Sequence, residues 1–165
     1  MKYDSIIVGA RVAGSATALL LARQGQRVLL ADKAVFPSDT LSTHYIHASG
    51  IARLKRWGFL DRLLATNCPR IHRVRFDFGA FGFEGSPPAG EGGVREALAP
   101  RRTLLDKMLV DAAVEAGCDF REKYAATGLL SDNGRVCGIR AEGSEEYADV
   151  VIGADGAHSL ARRLR

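Results

Sequence analysis

The chain has 165 residues, 47% apolar and 25% charged, with a net charge of +4. That length carries one domain with a real core, or one domain and part of another, in the composition range of soluble globular proteins. The basic residues are scattered without aromatic interleaving, which argues against nucleic acid as a partner, and the mild excess of base is compatible with an anionic ligand. The longest apolar stretch, VAGSATALLLA, is too short and too rich in Gly, Ser and Thr to span a bilayer.

Tyr3 to Val8 reads as a buried strand, Val12 to Gln24 as a helix and Arg27 to Asp32 as a second strand. The unit fits within about thirty residues, as a βαβ start requires. FPSDTLSTH is a turn-rich loop, and the segment from Ile46 to Ala65 reads as helix with Ile51, Leu54, Leu60, Leu63 and Leu64 on an interrupted apolar face. Val74 to Phe78 alternates like a strand with one exposed face. The Gly- and Pro-rich stretch GAFGFEGSPPAGEGG reads as a mobile excursion.

A helix resumes at Thr103 and stops at Gly117. Its apolar face is Leu104, Leu105, Met108, Leu109, Ala112, Ala113 and Ala116, with Asp106, Lys107, Asp111 and Glu115 elsewhere. Ala125–Leu130 and Arg135–Ala141 flank Asn133-Gly134, a strong hairpin turn signal. Tyr147 to Ile152 is a further strand that runs into GADGAHS, where Ser159 is placed to cap a final helix.

The first turn, GARVAG, has glycine at positions 9 and 14, and Arg11 where a dinucleotide fingerprint usually has its middle glycine. Gly9 permits a tight turn out of the strand, Gly14 close helix packing, and the helix N-terminus offers N–H groups to a phosphate. A phosphate loop of the ATP type is excluded, because Ser15-Ala16 follow instead of Lys and Ser/Thr. Asp32 ends the second strand where a dinucleotide domain places an acid for ribose hydroxyls. The Arg11 side chain has two readings: it points away from the turn, or it lies beside the phosphates as a counter-charge. Arg101 and Arg102 sit at a helix start, the unfavourable end for a cation, which suggests a nearby anion at Arg102.

The remaining candidates carry less. His44 and His47 lack a carboxylate or cysteine to complete a metal set, so no metal site is expected; His72 and His158 stand alone. Cys68, Cys118 and Cys137 are odd in number, far apart and without a C-x-x-C, which fits a reducing cytoplasm. Asp4 and Arg11 interrupt any secretory signal.

Taken together, IIVGARVAGSATALLLARQGQRVLLADKA, FPSDTLSTHYIHASGIARLKRWGFLDRL, RRTLLDKML and VVIGADGAHSLARR resemble the flavin-dependent monooxygenase and geranylgeranyl-reductase-like superfamily. The resemblance implies an α/β fold, with a Rossmann-like FAD-binding βαβ core, a parallel sheet, an additional β hairpin and an incomplete substrate domain. FAD-binding segments would be 1–71 and 101–165, with 72–100 the start of a substrate-domain excursion. Gly9, Ala10, Arg11, Ala13 and Gly14 would carry the FAD pyrophosphate, and Asp32 with Lys33 the adenosine ribose. Ser42, Thr43 and His44 would run along the flavin, Arg102 would reach toward the cofactor, and Ala126 would offer backbone contacts to the adenine. Asp155 and Gly156 match a motif tied in that superfamily to both FAD pyrophosphate and NAD(P)H binding.

The activity implied is reduction of FAD by NAD(P)H, a transient reductant, followed by oxygen transfer to a small organic substrate. The cofactor carries that chemistry, so no catalytic acid or base is assigned. The second Gly-Asp motif of the superfamily is absent, so the chain reads as an N-terminal portion. Uncovered sheet edges and apolar faces would then invite self-association. Two other readings stay open: an NAD-binding dehydrogenase domain, against which the hairpin argues, and a truncated non-catalytic nucleotide-binding remnant.

Overall fold

The computed structural model describes residues 2–157 and 159–163; His158 and the final Leu164 and Arg165 lie outside the described residues. In chain order the elements are β1 (Lys2–Val8), α1 (Val12–Ala22), β2 (Val28–Ala31), α2 (Ala48–Arg56), α3 (Leu60–Leu64), β3 (Arg70–Ile71), β4 (Val74–Asp77), β5 (Gly82–Gly85), β6 (Ala97–Leu98), α4 (Arg102–Glu115), β7 (Asp119–Arg121), β8 (Ala126–Asp132), β9 (Arg135–Ala141), β10 (Ser144–Gly153) and α5 (Leu160–Arg163). The chain forms two compact units. One holds the residues up to Ser38 and those from Asp106 on; the other is Asp39–Leu105.

The first unit is an α/β layer. Its six-stranded sheet has the order β7-β2-β1-β10-β9-β8. The pairs β7–β2, β2–β1 and β1–β10 are parallel, and β9 and β8 extend the sheet antiparallel. The register Ile6↔Leu29 and Val8↔Ala31 sets these four side chains on one face. There Ile6, Leu29 and Ala31 meet Ile139 and Ala141 of β9 and Ala148 of β10 in one buried cluster. Ile7, Val28 and Leu30 are equally buried on the opposite face. β1 and β2 are near-continuous apolar runs because both of their faces are covered. Asn133 and Gly134 both have positive φ, 49° and 79°, which is the turn that joins β8 to β9.

In the second unit the helical segment is broken. Gly58 has φ +81°, and it separates α2 from α3. Ile51, Leu54, Phe59 and Leu63 form the buried side. β3 pairs with β6, and β4 with β5, each as a two-stranded antiparallel ribbon. The Gly- and Pro-rich stretch holds regular structure in part. It supplies β5 and a 3₁₀ turn at Glu91–Gly93, and Arg56 of α2 pairs with Glu91. The register pairs Phe76 with Phe83 on one face of the ribbon and Arg75 with Glu84 on the other.

Two further expectations change. β7 escapes a periodicity reading, because it has three residues and two of them are charged. On α4, Leu104 is exposed and Asp106 is fully buried, the reverse of the apolar pattern. The physical reason for the burial of Asp106 is its partner, Arg11.

Candidate functional site

The carboxyl ends of β1, β2 and β10 lie side by side in the sheet, and the chain leaves each through a turn. Gly9 follows β1. Its N–H donates to the Ala31 carbonyl at the end of β2 (2.8 Å), and the Ala154 N–H donates to the Val8 carbonyl (2.7 Å). Gly9 has φ +102°, and a Cβ there would fall 2.5 Å from the Ala154 carbonyl oxygen. A Cβ on Gly14 would fall 1.7 Å from the Gly9 carbonyl oxygen. Both positions require glycine because the backbones of the two turns and of α1 are in direct contact. Ser15 follows, fully buried, and its hydroxyl donates to the Ala10 carbonyl (2.5 Å).

The turn leads into α1 with no side-chain cap at Arg11 and no acid in the first turn. The first amides of a helix have no intrahelical acceptor, and they carry the positive end of its dipole. Ala13 is exposed on that first turn, whereas Ala10 is completely buried. Asp32 closes onto the same turn: its Oδ2 accepts from the Ala10 N–H (2.6 Å) and its Oδ1 from the Ala34 N–H (2.8 Å). A carboxylate oxygen retains a second lone pair, so both remain able to accept from a ligand hydroxyl. Lys33 beside it is exposed.

Asp155 completes this cluster; its backbone nitrogen would lie 2.8 Å from a Cβ on Gly9. Its Oδ2 accepts from the Leu160 N–H at the start of α5 (2.7 Å). Its Oδ1 is buried and has no partner among the described residues. An orphaned buried acceptor costs about 1–3 kcal/mol, and a ligand donor placed there removes that cost. Gly156 is exposed with φ +82°, and the Ser159 N–H donates to its carbonyl (3.1 Å). Ser159 also reaches the Arg162 N–H, at 3.4 Å. A narrow glycine cradle, an uncapped helix start, an acid beside the turn and an orphaned acceptor together fit a dinucleotide.

The Arg11 side chain has partners of its own within the fold. Its backbone, φ −75° and ψ −172°, is extended and needs no glycine. Its Nη1 donates to Asp106 Oδ2 (2.8 Å) and to the Ser38 carbonyl (2.9 Å), and its Nη2 to Ser38 Oγ (3.0 Å). The guanidinium carbon lies 5.1 Å from the Phe36 ring centroid. The roles of Asp106, Ser38 and Phe36 were invisible in the sequence, since no local pattern links position 11 to position 106.

A second polar cluster also escaped sequence reading. Arg121 on β7 donates to Glu146 (2.6 Å), Asp119 (2.9 Å) and the Tyr3 hydroxyl (2.8 Å), and Tyr3 donates to Asp119 (2.5 Å). Burial and then the Asp119 contact push the Tyr3 phenol up to about 12. The strand carries this cluster beside the acid: Asp32 N–H donates to the Arg121 carbonyl (3.0 Å), and Tyr124 N–H to the Asp32 carbonyl (2.8 Å). Ala126 opens β8 just beyond, opposite Ala141.

The other candidates belong to the second unit. Ser42 Oγ accepts from the His44 N–H (3.1 Å), His44 has φ +54°, and its Nδ1 donates to the Pro100 carbonyl (3.0 Å). Thr43 between them is exposed. Arg102 is the first residue of α4 and is half-buried. Among the described residues, no three His, Cys, Asp or Glu side chains are grouped to hold a metal.

Comparison with known proteins identifies the family. Residues 2–165 match the family described as FAD binding domain. A digeranylgeranylglycerophospholipid reductase of Methanopyrus kandleri is 33% identical over 169 residues, covering 96% of this chain and 39% of that protein. A rifampicin monooxygenase of Rhodococcus hoagii is 29% identical over 168 residues, 98% of this chain and 33% of that one. Among solved structures, the myxobacterial chondrochloren halogenase CndH, an FAD-dependent halogenase, has the same fold, with a TM-score of 0.85 at 22% identity over 96% of this chain and 38% of that one. The chain spans between a third and about two fifths of the length of these curated relatives. By this family match, the chain belongs to the FAD-binding-domain family.

Proposed function

We propose that the chain is the FAD-binding portion of an NAD(P)H-dependent flavoprotein oxidoreductase, a monooxygenase acting on a small organic molecule. The observation that carries the reading is the buried Asp155 Oδ1 beside the Gly9 turn, which has no partner among the described residues. When bound, FAD would supply the redox chemistry, taking electrons from NAD(P)H and passing them toward oxygen. This chain's residues bind and orient. Gly9 and Ala10 shape the turn, with their own amides bonded to Ala31 and Asp32, and the first main-chain amides of α1, from Arg11 through Ala13 to Gly14, are offered to the pyrophosphate. Asp32, with Lys33 at its flank, accepts from the adenosine ribose, and Ala126 lends main-chain polar groups to the adenine. Asp155 and Gly156 turn main-chain amides toward the same pyrophosphate, while the Asp155 Oδ1 acceptor is left for a hydroxyl donor of the cofactor. Ser42, Thr43, His44 and Arg102 are assigned to the flavin side by the family resemblance; in its support, His44 is tied to Ser42 and to the Pro100 carbonyl.

Residues 72–100 are assigned to the start of a substrate domain. Supporting this, the β4–β5 ribbon has one aromatic face and one charged face. Phe76 stacks on Phe83 (centroids 4.9 Å apart) and Phe78 on Phe81 (5.0 Å), all four exposed, while Arg75, Asp77 and Glu84 alternate with them. Such a face suits an apolar or ring-bearing organic molecule. Among the described residues no helix is long and apolar enough to cross a membrane. Three free cysteines are compatible with the proposed cytoplasmic setting.

Purification tests the reading. The protein is expected to carry, or take up on reconstitution, a yellow chromophore that heat releases as FAD. A colourless protein that takes up no flavin overturns it.

A further inference from the structure

The position of Arg11 in the fingerprint and its distant partner lead to a role that the glycine pattern alone hides. In the usual turn a glycine stands here, and its backbone is free to adjust. Arg11 instead sits at the N-cap of α1, and its side chain is fastened at four points: Asp106, the Ser38 carbonyl, Ser38 Oγ and the Phe36 ring. Asp106 is completely buried, whereas the Arg11 side chain is 27% exposed. A buried carboxylate needs a cation with good geometry, and this pair has it. Asp106 is also the residue four after Arg102 on α4, one helical turn along the same face.

We propose that Arg11 and Asp106 are a positioning pair: by holding the N-cap of α1 to α4 they pre-organise the Gly9–Gly14 turn, and so set the affinity for a dinucleotide without Arg11 contacting its phosphates. The inference rests on the reading of that turn as the FAD pyrophosphate site. Pre-organisation raises affinity by removing the ordering cost from the binding step. Glycine at position 11 restores the common motif, yet it returns backbone freedom to the turn and strips Asp106 of this partner.

The test uses the full chain with Arg11→Met, Arg11→Gly, Arg11→Lys, Asp106→Asn and the double variant Arg11→Met/Asp106→Asn. FAD affinity is measured at a temperature where each is folded, together with amide exchange at residues 10–15 in the absence of ligand. Arg11→Met, Arg11→Gly and Asp106→Asn are each expected to weaken FAD about tenfold and to speed exchange at the turn. The double variant is expected to be no worse than either single one, and Arg11→Lys to recover part of the loss. If Arg11→Met weakens FAD while Asp106→Asn leaves it unchanged, Arg11 is a phosphate counter-charge and the proposal fails. It also fails if melting temperatures drop but affinity and turn exchange do not move, or if Arg11→Gly binds FAD more tightly. Should the native chain bind no FAD, the functional reading falls, and exchange decides the pair alone: unchanged exchange at residues 10–15 in Asp106→Asn overturns it.

Discussion

The Ala10 N–H donates to Asp32 Oδ2 across 2.6 Å, so the acid at the end of β2 is bonded into the glycine turn itself. Ala10 is completely buried, and its amide has no water to fall back on. Asp32→Ala therefore removes both a ligand contact and a structural acceptor. It is expected to lower stability by about 1–3 kcal/mol and FAD affinity by a comparable amount. Urea melts and FAD titration on the same preparation check this. Lost affinity at unchanged stability would mean that the Ala10 bond contributes nothing.

Gly14→Ala places a methyl group 1.7 Å from the Gly9 carbonyl oxygen, a backbone atom that cannot swing aside. The expected cost is about 3 kcal/mol, with loss of FAD uptake. Gly128→Ala is the control, since its nearest new contact is at 3.9 Å on the flexible Arg140 side chain. Thermal melts should show a large drop for the first variant and little change for the second.

Burial pushes the Cys118 thiol up to about 12, and its sulfur donates to the Val28 carbonyl at 3.4 Å. Cys68 is raised for the same main reason, while Cys137 is only half-buried. At about pH 8 a thiol reagent should label Cys137 first and Cys118 only as the protein unfolds. Mass spectrometry of labelled peptides gives the order, and equal rates for the two would contradict it.

Tyr3 bears on pH dependence. Its phenol is raised from an ordinary 10 to about 12, so the folded state holds that proton more tightly than the unfolded state does. The resulting stabilisation is complete below about pH 10, and it is lost as pH rises through about 12. Native protein should lose stability more steeply than Tyr3→Phe across that window in denaturant melts. Tyr147 and Cys118, also raised, are common to both proteins and cancel in the comparison. Parallel curves would show that Tyr3 does not titrate as described.

The elements read from sequence were those whose signal is local. β1, α1 and β2 follow from an apolar run, a glycine turn and a second apolar run, and the β8–β9 hairpin follows from Asn133-Gly134. What remained hidden depends on distance along the chain. Asp106 looked like a solvent-facing acid of an amphipathic helix, because the cation that buries it is 95 residues away. Arg121 links three strands through partners that only the sheet order β7-β2-β1-β10 brings together. The Arg11 departure from the glycine fingerprint was legible as an anomaly. Its explanation required the tertiary fold.

The most direct test of the account is to titrate the purified chain with FAD and, separately, with NADH, following binding by calorimetry. Saturable FAD binding that far exceeds any NADH binding is the expected result, with Asp155→Ala weakening it. Tight NADH binding without FAD binding, or binding of neither, would contradict the assignment of the Gly9–Gly14 turn to FAD.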